Sequence, residues 1–123
     1  MSETILVIDD STNIRENVSE LLELSGYKVL SAHNGRVGLE MAKEFSPDLI
    51  LCDIRMPEMD GYDVIQALSV VPGTTRIPII FTTAMSEKSD YQKAMQLGAA
   101  GYLIKPFDED ELLGSLKRCL PGR

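Results

Sequence analysis

The sequence has few of the residues on which most zinc and redox sites depend. It contains one histidine, His33, and two cysteines, Cys52 and Cys119, in no spacing that is typical of a metal site. Cys52 lies inside an apolar run, where a small buried hydrophobic residue is the simplest interpretation. We therefore expect no zinc site, no disulfide and no redox function. We expect His33 in an exposed loop, without a catalytic or phosphorelay function.

Long hydrophobic runs and an excess of positive charge are also missing. No apolar run approaches the ~20 residues of a membrane helix, and Met1-Ser2-Glu3 leads into the first apolar run without a basic leader. The chain carries 19 acidic and 12 basic side chains, a formal net charge of -7, and the basic ones are scattered. We therefore expect a cytoplasmic protein that binds neither a membrane nor nucleic acid directly.

Length and composition indicate one ordinary globular domain. The chain has 123 residues, of which 44% are hydrophobic and 25% charged, enough for a single hydrophobic core. We predict one domain over residues 1–120. Residues 121–123 are then a tail or the start of a linker, because Pro-Gly is how a linker would begin. The sequence leaves open whether the domain stands alone or comes from a longer protein.

Short apolar runs alternate with segments of helical period, five of each. This pattern is typical of repeated strand–helix units and predicts an α/β fold with a five-stranded parallel sheet and five helices. The predicted strands are residues 5–8, 28–32, 49–52, 77–81 and 102–104.

Several residues mark the expected ends of helices. Gly26 and Gly98 lie where helices must stop, and Asp60-Gly61 is expected to form a turn. Ser86 and Asp108 are the expected N-caps of the last two helices.

Polar side chains follow four of the five predicted strands. They are Asp9-Asp10, Asp53, Thr82-Thr83 and Lys105. Because the carboxyl ends of parallel strands share one edge of a sheet, we expect these groups to lie close together. The second strand ends in Ala32-His33-Asn34 instead, which fits a strand at the far edge of the sheet.

This set of residues suits the transfer of a phosphoryl group. Three neighbouring carboxylates repel one another unless a cation is present, and Mg²⁺ prefers oxygen ligands. Lys105 and Thr83 could contact a tetrahedral anion, the first as a point charge and the second as a hydrogen-bond donor. A central carboxylate could then attack phosphorus in line.

Four sequence strings, ILVIDD, LILCDIRMPEMDG, IIFTTA and GYLIKPF, together resemble the receiver domains of response regulators. The resemblance covers nearly the whole chain and implies a doubly wound, flavodoxin-like sheet of order 2-1-3-4-5. It implies a two-component signalling switch that accepts a phosphoryl group on Asp53, from a sensor histidine kinase or a small phosphodonor. Such a protein is a regulator that catalyses its own phosphorylation and dephosphorylation, not an enzyme with an external substrate.

The resemblance also implies a metal site, which Mn²⁺ could occupy in place of Mg²⁺. Asp10 would be a direct ligand together with Asp53, and Asp9 would hold the metal partly through water. The backbone carbonyl of Arg55 would complete the protein ligands. The long side chain of Arg55 and the bulky Met85 are then expected to screen the acyl phosphate from water and to lengthen its life.

A switch from the site to a distant surface is implied as well. Thr83 and Lys105 would bind the phosphoryl oxygens, the Lys105–Pro106 peptide bond would be cis, and Tyr102 would turn inward when Thr83 moves. The surface of helix four, strand five and helix five would then bind an output domain or a target protein, or form a homodimer. Tyr102 is also open to interpretation as half-buried packing.

Three other functions share parts of this pattern. A degenerate receiver could act only as a protein-interaction scaffold, although every residue that the chemistry needs is present. A phosphohydrolase of the haloacid dehalogenase type also uses an aspartate, Mg²⁺ and a lysine, but its two strand-one acids are separated by one residue, whereas Asp9 and Asp10 are adjacent. A flavodoxin-like binding module needs a phosphate loop after strand one, where Asp9-Asp10 would repel the phosphate.

Overall fold

A computed structural model describes residues 2–84 and 88–120. In this part of the chain five strands alternate with five helices. They are β1 (Thr4–Ile8), α1 (Thr12–Leu24), β2 (Lys28–Ala32), α2 (Gly35–Phe45), β3 (Leu49–Asp53), α3 (Gly61–Leu68), β4 (Ile79–Thr83), α4 (Lys88–Gln96), β5 (Gly101–Ile104) and α5 (Glu109–Cys119).

The five strands form one sheet of order β2-β1-β3-β4-β5, and every neighbouring pair is parallel. Ile8 pairs with Cys52, Asp53 with Thr82, and Thr83 with Ile104. The carboxyl ends of all five strands therefore lie along one edge, with β2 at its far end. The predicted α/β class and strand order are confirmed, as is the position of β2 at the far edge.

The core consists of two apolar clusters, one on each face of the sheet. Successive residues of a strand point to opposite faces, so Ile50 belongs to the first cluster and Leu51 to the second. The first cluster includes Val64 of α3 and Ala94 of α4, and the second includes Leu112 of α5. Burial on both faces explains why β3 is apolar up to Asp53 and why β4 is apolar up to its two terminal threonines.

The predicted bounds of β4 are wrong by two residues at each end. The strand begins at Ile79 and runs through Thr83, whereas the sequence predicted residues 77–81. Pro78 has no N–H to donate to a ladder, and only its carbonyl bonds the sheet, by accepting from the Ile50 N–H at 2.9 Å. Asp53 likewise lies within β3 as its last residue, not after it.

The helix ends mostly follow the predicted signals. Gly26 and Gly98 have φ angles of 96° and 99°, the left-handed conformation that ends a helix at glycine. Asp108 caps α5 in a capping box with Glu111, as predicted. Asp60-Gly61 is a helix start and not a simple turn, because the Asp60 side chain caps α3. Ser86, the predicted cap of α4, lies outside the described residues.

Candidate functional site

Asp9 directly follows β1 and is held at four atoms. Its backbone N–H donates to the Ala32 carbonyl at 3.2 Å, and its own carbonyl accepts from Arg15 Nη1 at 2.7 Å. Its carboxylate accepts from the Ser11 N–H at 2.9 Å through Oδ1, and from Lys105 Nζ at 3.1 Å through Oδ2. The side chain, only 3% exposed, is therefore fixed in place and close to a positive charge.

Three carboxylates meet at this edge of the sheet. Asp9, Asp10 and Asp53 each offer one oxygen, and these oxygens lie within 4.8 Å of one another. Asp10 is exposed whereas the other two are buried. A set made only of carboxylate oxygens suits a hard divalent cation such as Mg²⁺ and does not suit zinc, so these residues fit the metal that the sequence predicts.

Asp53 ends β3 in the middle of this group and is buried. Burial raises its pKa above the ordinary value of 3.8, and the negative charges of Asp9 and Asp10 add to the effect. Lys105 acts in the opposite direction, with Nζ at 3.4 Å from Asp53 Oδ1. The environment therefore favours a cation, or a reaction that removes the charge, at this carboxylate.

The entry to α3 comes very close to Asp53. A Cβ atom at Gly61 would lie 2.7 Å from the Asp53 carbonyl oxygen and 2.9 Å from the Ile54 Cα atom, and both of these are backbone atoms. The Gly61 N–H donates to the Ile54 carbonyl at 2.8 Å. Glycine at this position therefore lets α3 pack against the loop that carries Asp53.

Lys105 follows β5 and connects the ends of three strands. Its ammonium contacts Asp9 and Asp53, and its backbone N–H donates to the Thr83 carbonyl at 2.7 Å. The Lys105–Pro106 peptide bond is cis. The lysine side chain is 19% exposed, so part of it can be reached by solvent and by a ligand that enters from the edge of the sheet.

Thr83 and Tyr102 lie on adjacent strands and on the same face of the sheet. Thr83 is fully buried and pairs with Ile104, and Tyr102 pairs with Phe81, two residues earlier along β4. Residues two apart on a strand share a face, as do paired residues on neighbouring parallel strands. The structure thus places Tyr102 on the face of Thr83, as the predicted switch pair requires.

Tyr102 is half-buried against aromatic neighbours. Its ring meets that of Tyr91 edge to face, with centroids 5.5 Å apart. Burial raises the pKa of Tyr102 to about 12, with smaller effects from Tyr62 and Asp90. Half-buried packing, one of the two interpretations of Tyr102 that the sequence left open, is therefore present, and the structure shows that Tyr91 is a partner.

The remaining candidates are not among the three carboxylates, and some of them lie outside the described residues. His33 is exposed, and Cys52 is buried as predicted, with its thiol pKa raised by burial. Arg55 is exposed two residues after Asp53. Met85, predicted to screen the acyl phosphate, lies outside the described residues, as do residues 121–123.

Sequence reasoning did not identify Arg15. An arginine in the first helix gives no signal that its guanidinium turns back to the carbonyl of Asp9. Only the side-chain geometry shows this contact.

None of the described helices is long and apolar enough to cross a membrane.

Comparisons with known proteins agree on the type of domain. The family described as "Response regulator receiver domain" matches residues 5–117. The chain is 40% identical to the regulatory protein AtoC of Escherichia coli, covering 94% of this chain but only 25% of that protein. It is 36% identical to sporulation initiation phosphotransferase F of Bacillus subtilis, covering 98% of this chain and 96% of that protein.

A solved structure has nearly the same fold. The chemotaxis protein CheY4 of Vibrio cholerae superposes with a TM-score of 0.93 at 34% sequence identity. The match covers 98% of this chain and 100% of that one. The chain thus corresponds to the whole of some relatives and to a quarter of the length of AtoC.

Proposed function

The chain belongs to the response regulator receiver domain family, and we propose that it is a two-component signalling switch that accepts a phosphoryl group on Asp53. The donor is a sensor histidine kinase, a phosphotransfer protein or a small phosphodonor, and the exchange takes place in the cytoplasm. Residues 1–120 form the receiver, and 121–123 are a tail or the start of a linker. One observation carries the proposal: the Lys105 ammonium lies 3.1 Å from Asp9 and 3.4 Å from Asp53, beside a third carboxylate.

The acidic residues would hold the metal. The divalent cation, Mg²⁺ or Mn²⁺, would be bound by Asp9, Asp10, Asp53 and the backbone carbonyl of Arg55. Its positive charge would offset the negative charge of the incoming phosphoryl group. Asp10 is the most exposed of the three carboxylates, so it faces the side from which a hydrated cation arrives. Asp9 is already bonded to Ser11 and Lys105, which fits a ligand that acts partly through water.

Phosphoryl transfer needs one bond to form and one to break. A carboxylate oxygen of Asp53 forms a bond to phosphorus while the bond from phosphorus to the donor group breaks, and the electron pair of that bond leaves with the donor. Lys105, now near two carboxylates, would contact a phosphoryl oxygen, and the Thr83 hydroxyl would donate to another. Since the chain supplies these groups itself, it catalyses its own phosphorylation and, with water as the nucleophile, its dephosphorylation.

The exposed side chain of Arg55 would screen the acyl phosphate from water, together with Met85. A long-lived phosphorylated form is expected as a result. Rapid decay that is the same in Arg55→Ala and in the unchanged chain would contradict this part of the proposal.

Thr83 and Tyr102 would link phosphorylation of Asp53 to a change at the protein surface. Movement of Thr83 toward the phosphoryl group would open space on its face of the sheet, and Tyr102 would turn into that space and away from Tyr91. Tyr91 and Ile104 lie on the surface of α4 and β5 with 48% and 45% of their areas exposed. This apolar surface, with α5, would bind an output domain, a target protein or a second copy of the chain.

Intact mass spectrometry tests the proposal. The chain is incubated with acetyl phosphate and Mg²⁺, with EDTA as one control and Asp53→Asn as another. Asp110→Asn, an exposed acid on α5, is the matched substitution that should leave phosphorylation unchanged. One phosphoryl adduct, lost with EDTA and in Asp53→Asn, is the expected result. No adduct in any arm would favour the scaffold function instead.

A further inference from the structure

The side chain of Arg15 contacts the backbone of the acidic site. Arg15 lies in α1, and its Nη1 donates to the Asp9 carbonyl at 2.7 Å. Both ion pairs among residues 2–84 and 88–120 belong to Lys105, so the Arg15 guanidinium is paired with no carboxylate in this part of the chain. Its contact with Asp9 is therefore a charge-assisted hydrogen bond to a peptide group and not a salt bridge.

That peptide group joins Asp9 to Asp10. The carboxylate of Asp9 is held by Ser11 and Lys105, whereas that of Asp10 has no hydrogen bond or ion pair with any described residue. The direction of the Asp10 side chain therefore depends on the orientation of its backbone. Arg15 fixes the carbonyl on the N-terminal side of Asp10, which sets the plane of that peptide.

The position of Arg15 is unfavourable for α1 itself. It lies near the N-terminal end of the helix, where the helix dipole favours negative charge, and the first turn of α1 contains no acidic residue. The stability of α1 itself therefore does not explain an arginine at this position. The half-buried arginine is better explained by what it contacts.

We propose that Arg15 is a positioning residue for the divalent-cation site, acting through the Asp9–Asp10 peptide. This inference rests on the proposed function, because it concerns the same metal site. The contact and the charge of Arg15 have opposite effects on a bound cation. The hydrogen bond holds Asp10 in the orientation that binds the cation, whereas the positive charge repels the cation. The sign of the change in Mg²⁺ affinity therefore distinguishes the two effects.

The experiment measures Mg²⁺ binding to the folded chain by isothermal titration calorimetry. Arg15→Met removes the contact and the charge, and Arg15→Lys keeps the charge but loses the planar guanidinium. Arg36→Met is the matched control, because Arg36 is exposed on α2 and has no hydrogen bond or ion pair with a described residue. We expect Arg15→Met to weaken Mg²⁺ affinity about tenfold, as loss of a group that orients a ligand does. Arg15→Lys keeps the repulsive charge without the planar contact, so it should weaken Mg²⁺ affinity at least as much as Arg15→Met does, and Arg36→Met should match the unchanged chain.

Other outcomes overturn the inference. Tighter Mg²⁺ affinity in Arg15→Met would mean that the charge of Arg15 outweighs its contact, and affinity unchanged in both Arg15 variants would mean that Arg15 does not position the site. Urea unfolding in EDTA would show a stability effect separately. If Arg15→Met does not fold, Arg15→Lys decides, since affinity equal to that of the unchanged chain contradicts a positioning role. If the unchanged chain binds no Mg²⁺, the proposed function itself fails. If the unchanged chain binds Mg²⁺ and both Arg15 variants bind it equally well, only the inference about Arg15 fails.

Discussion

Asp53 ends β3 and Lys105 follows β5, two strands that are not neighbours, yet Lys105 Nζ lies 3.4 Å from Asp53 Oδ1. β4 separates β3 from β5 in the sheet, so the lysine side chain extends past the end of β4 to reach the carboxylate. The same ammonium also contacts Asp9 beyond β3 at 3.1 Å. The side chain of Lys105 therefore contacts two carboxylates along the edge at which the phosphoryl group is proposed to bind.

Replacing Lys105 should slow phosphorylation. Lys105→Met removes the cation that would stabilise charge on the phosphoryl oxygens, and we expect the rate of phosphorylation by acetyl phosphate to fall about 100-fold. The rate is measured by intact mass spectrometry at saturating Mg²⁺. Lys117→Met, at an exposed position of α5, is the control and should react at the normal rate. Equal rates in both variants would remove Lys105 from the proposed mechanism.

Asp53→Asn should stabilise the metal-free protein at neutral pH. The pKa of Asp53 is raised in the folded state, chiefly by burial, so the folded state holds its proton more tightly than the unfolded state does. The ionised carboxylate therefore lowers stability as the pH rises through the folded pKa. We expect Asn to raise the free energy of unfolding by about 1 kcal/mol at pH 7, the size of one close charge repulsion in water.

Urea unfolding in EDTA at several pH values measures this effect. The gain should shrink as the pH falls through and below 3.8, the ordinary pKa of an aspartate, because Asp53 then becomes protonated in the unfolded state as well as in the folded state. A gain that does not depend on pH, or a loss of stability at pH 7, would contradict the prediction.

Tyr102 should ionise late in an alkaline titration. Its pKa is raised to about 12, chiefly by burial, and the neutral phenol is therefore favoured in the folded state. Stability from this source is present below pH 10 and is lost as the pH rises toward 12. The ultraviolet absorbance of tyrosinate, followed against pH, should show a component near pH 12 that is absent in Tyr102→Phe. The same late component in the variant would show that another group produces it.

A methyl group at Gly61 should disturb the loop that carries Asp53. Gly61→Ala would place a carbon 2.7 Å from the Asp53 carbonyl oxygen, and we expect a loss of about 1–3 kcal/mol in the free energy of unfolding. Gly114→Ala is the matched control, because the nearest atom to its new carbon is Arg118 Nη1 at 3.5 Å. In α5 that change should be neutral or should stabilise by up to about 1 kcal/mol. Equal urea midpoints for the two variants would contradict the close approach at Gly61.

The positions of the main site residues could be predicted from the sequence because a parallel sheet leaves little freedom. Asp9, Asp53, Thr83 and Lys105 lie at or just beyond the ends of different strands, and right-handed connections bring those ends to one edge. The strand pattern itself was readable because β3 and β4 are buried on both faces. The order of the strands came from the resemblance to receiver domains, not from the pattern.

Other features depend on contacts that a sequence pattern does not encode. The predicted start of β4 was wrong because Pro78 lies in an apolar run. The run alone does not show where the ladder of hydrogen bonds begins. The contact from Arg15 to Asp9 depends on the rotamer of a long side chain. The edge-to-face packing of Tyr91 on Tyr102 depends on how α4 rests on β5.

The location of the phosphoryl group tests the central claim most directly. Sodium borohydride reduces an aspartyl phosphate to homoserine, so the chain is phosphorylated with acetyl phosphate and Mg²⁺, reduced, digested and analysed by tandem mass spectrometry. We expect homoserine at position 53 alone, and none when EDTA replaces Mg²⁺. Homoserine at Asp9 or Asp10, or a phosphate that resists borohydride on a serine or threonine, would contradict it.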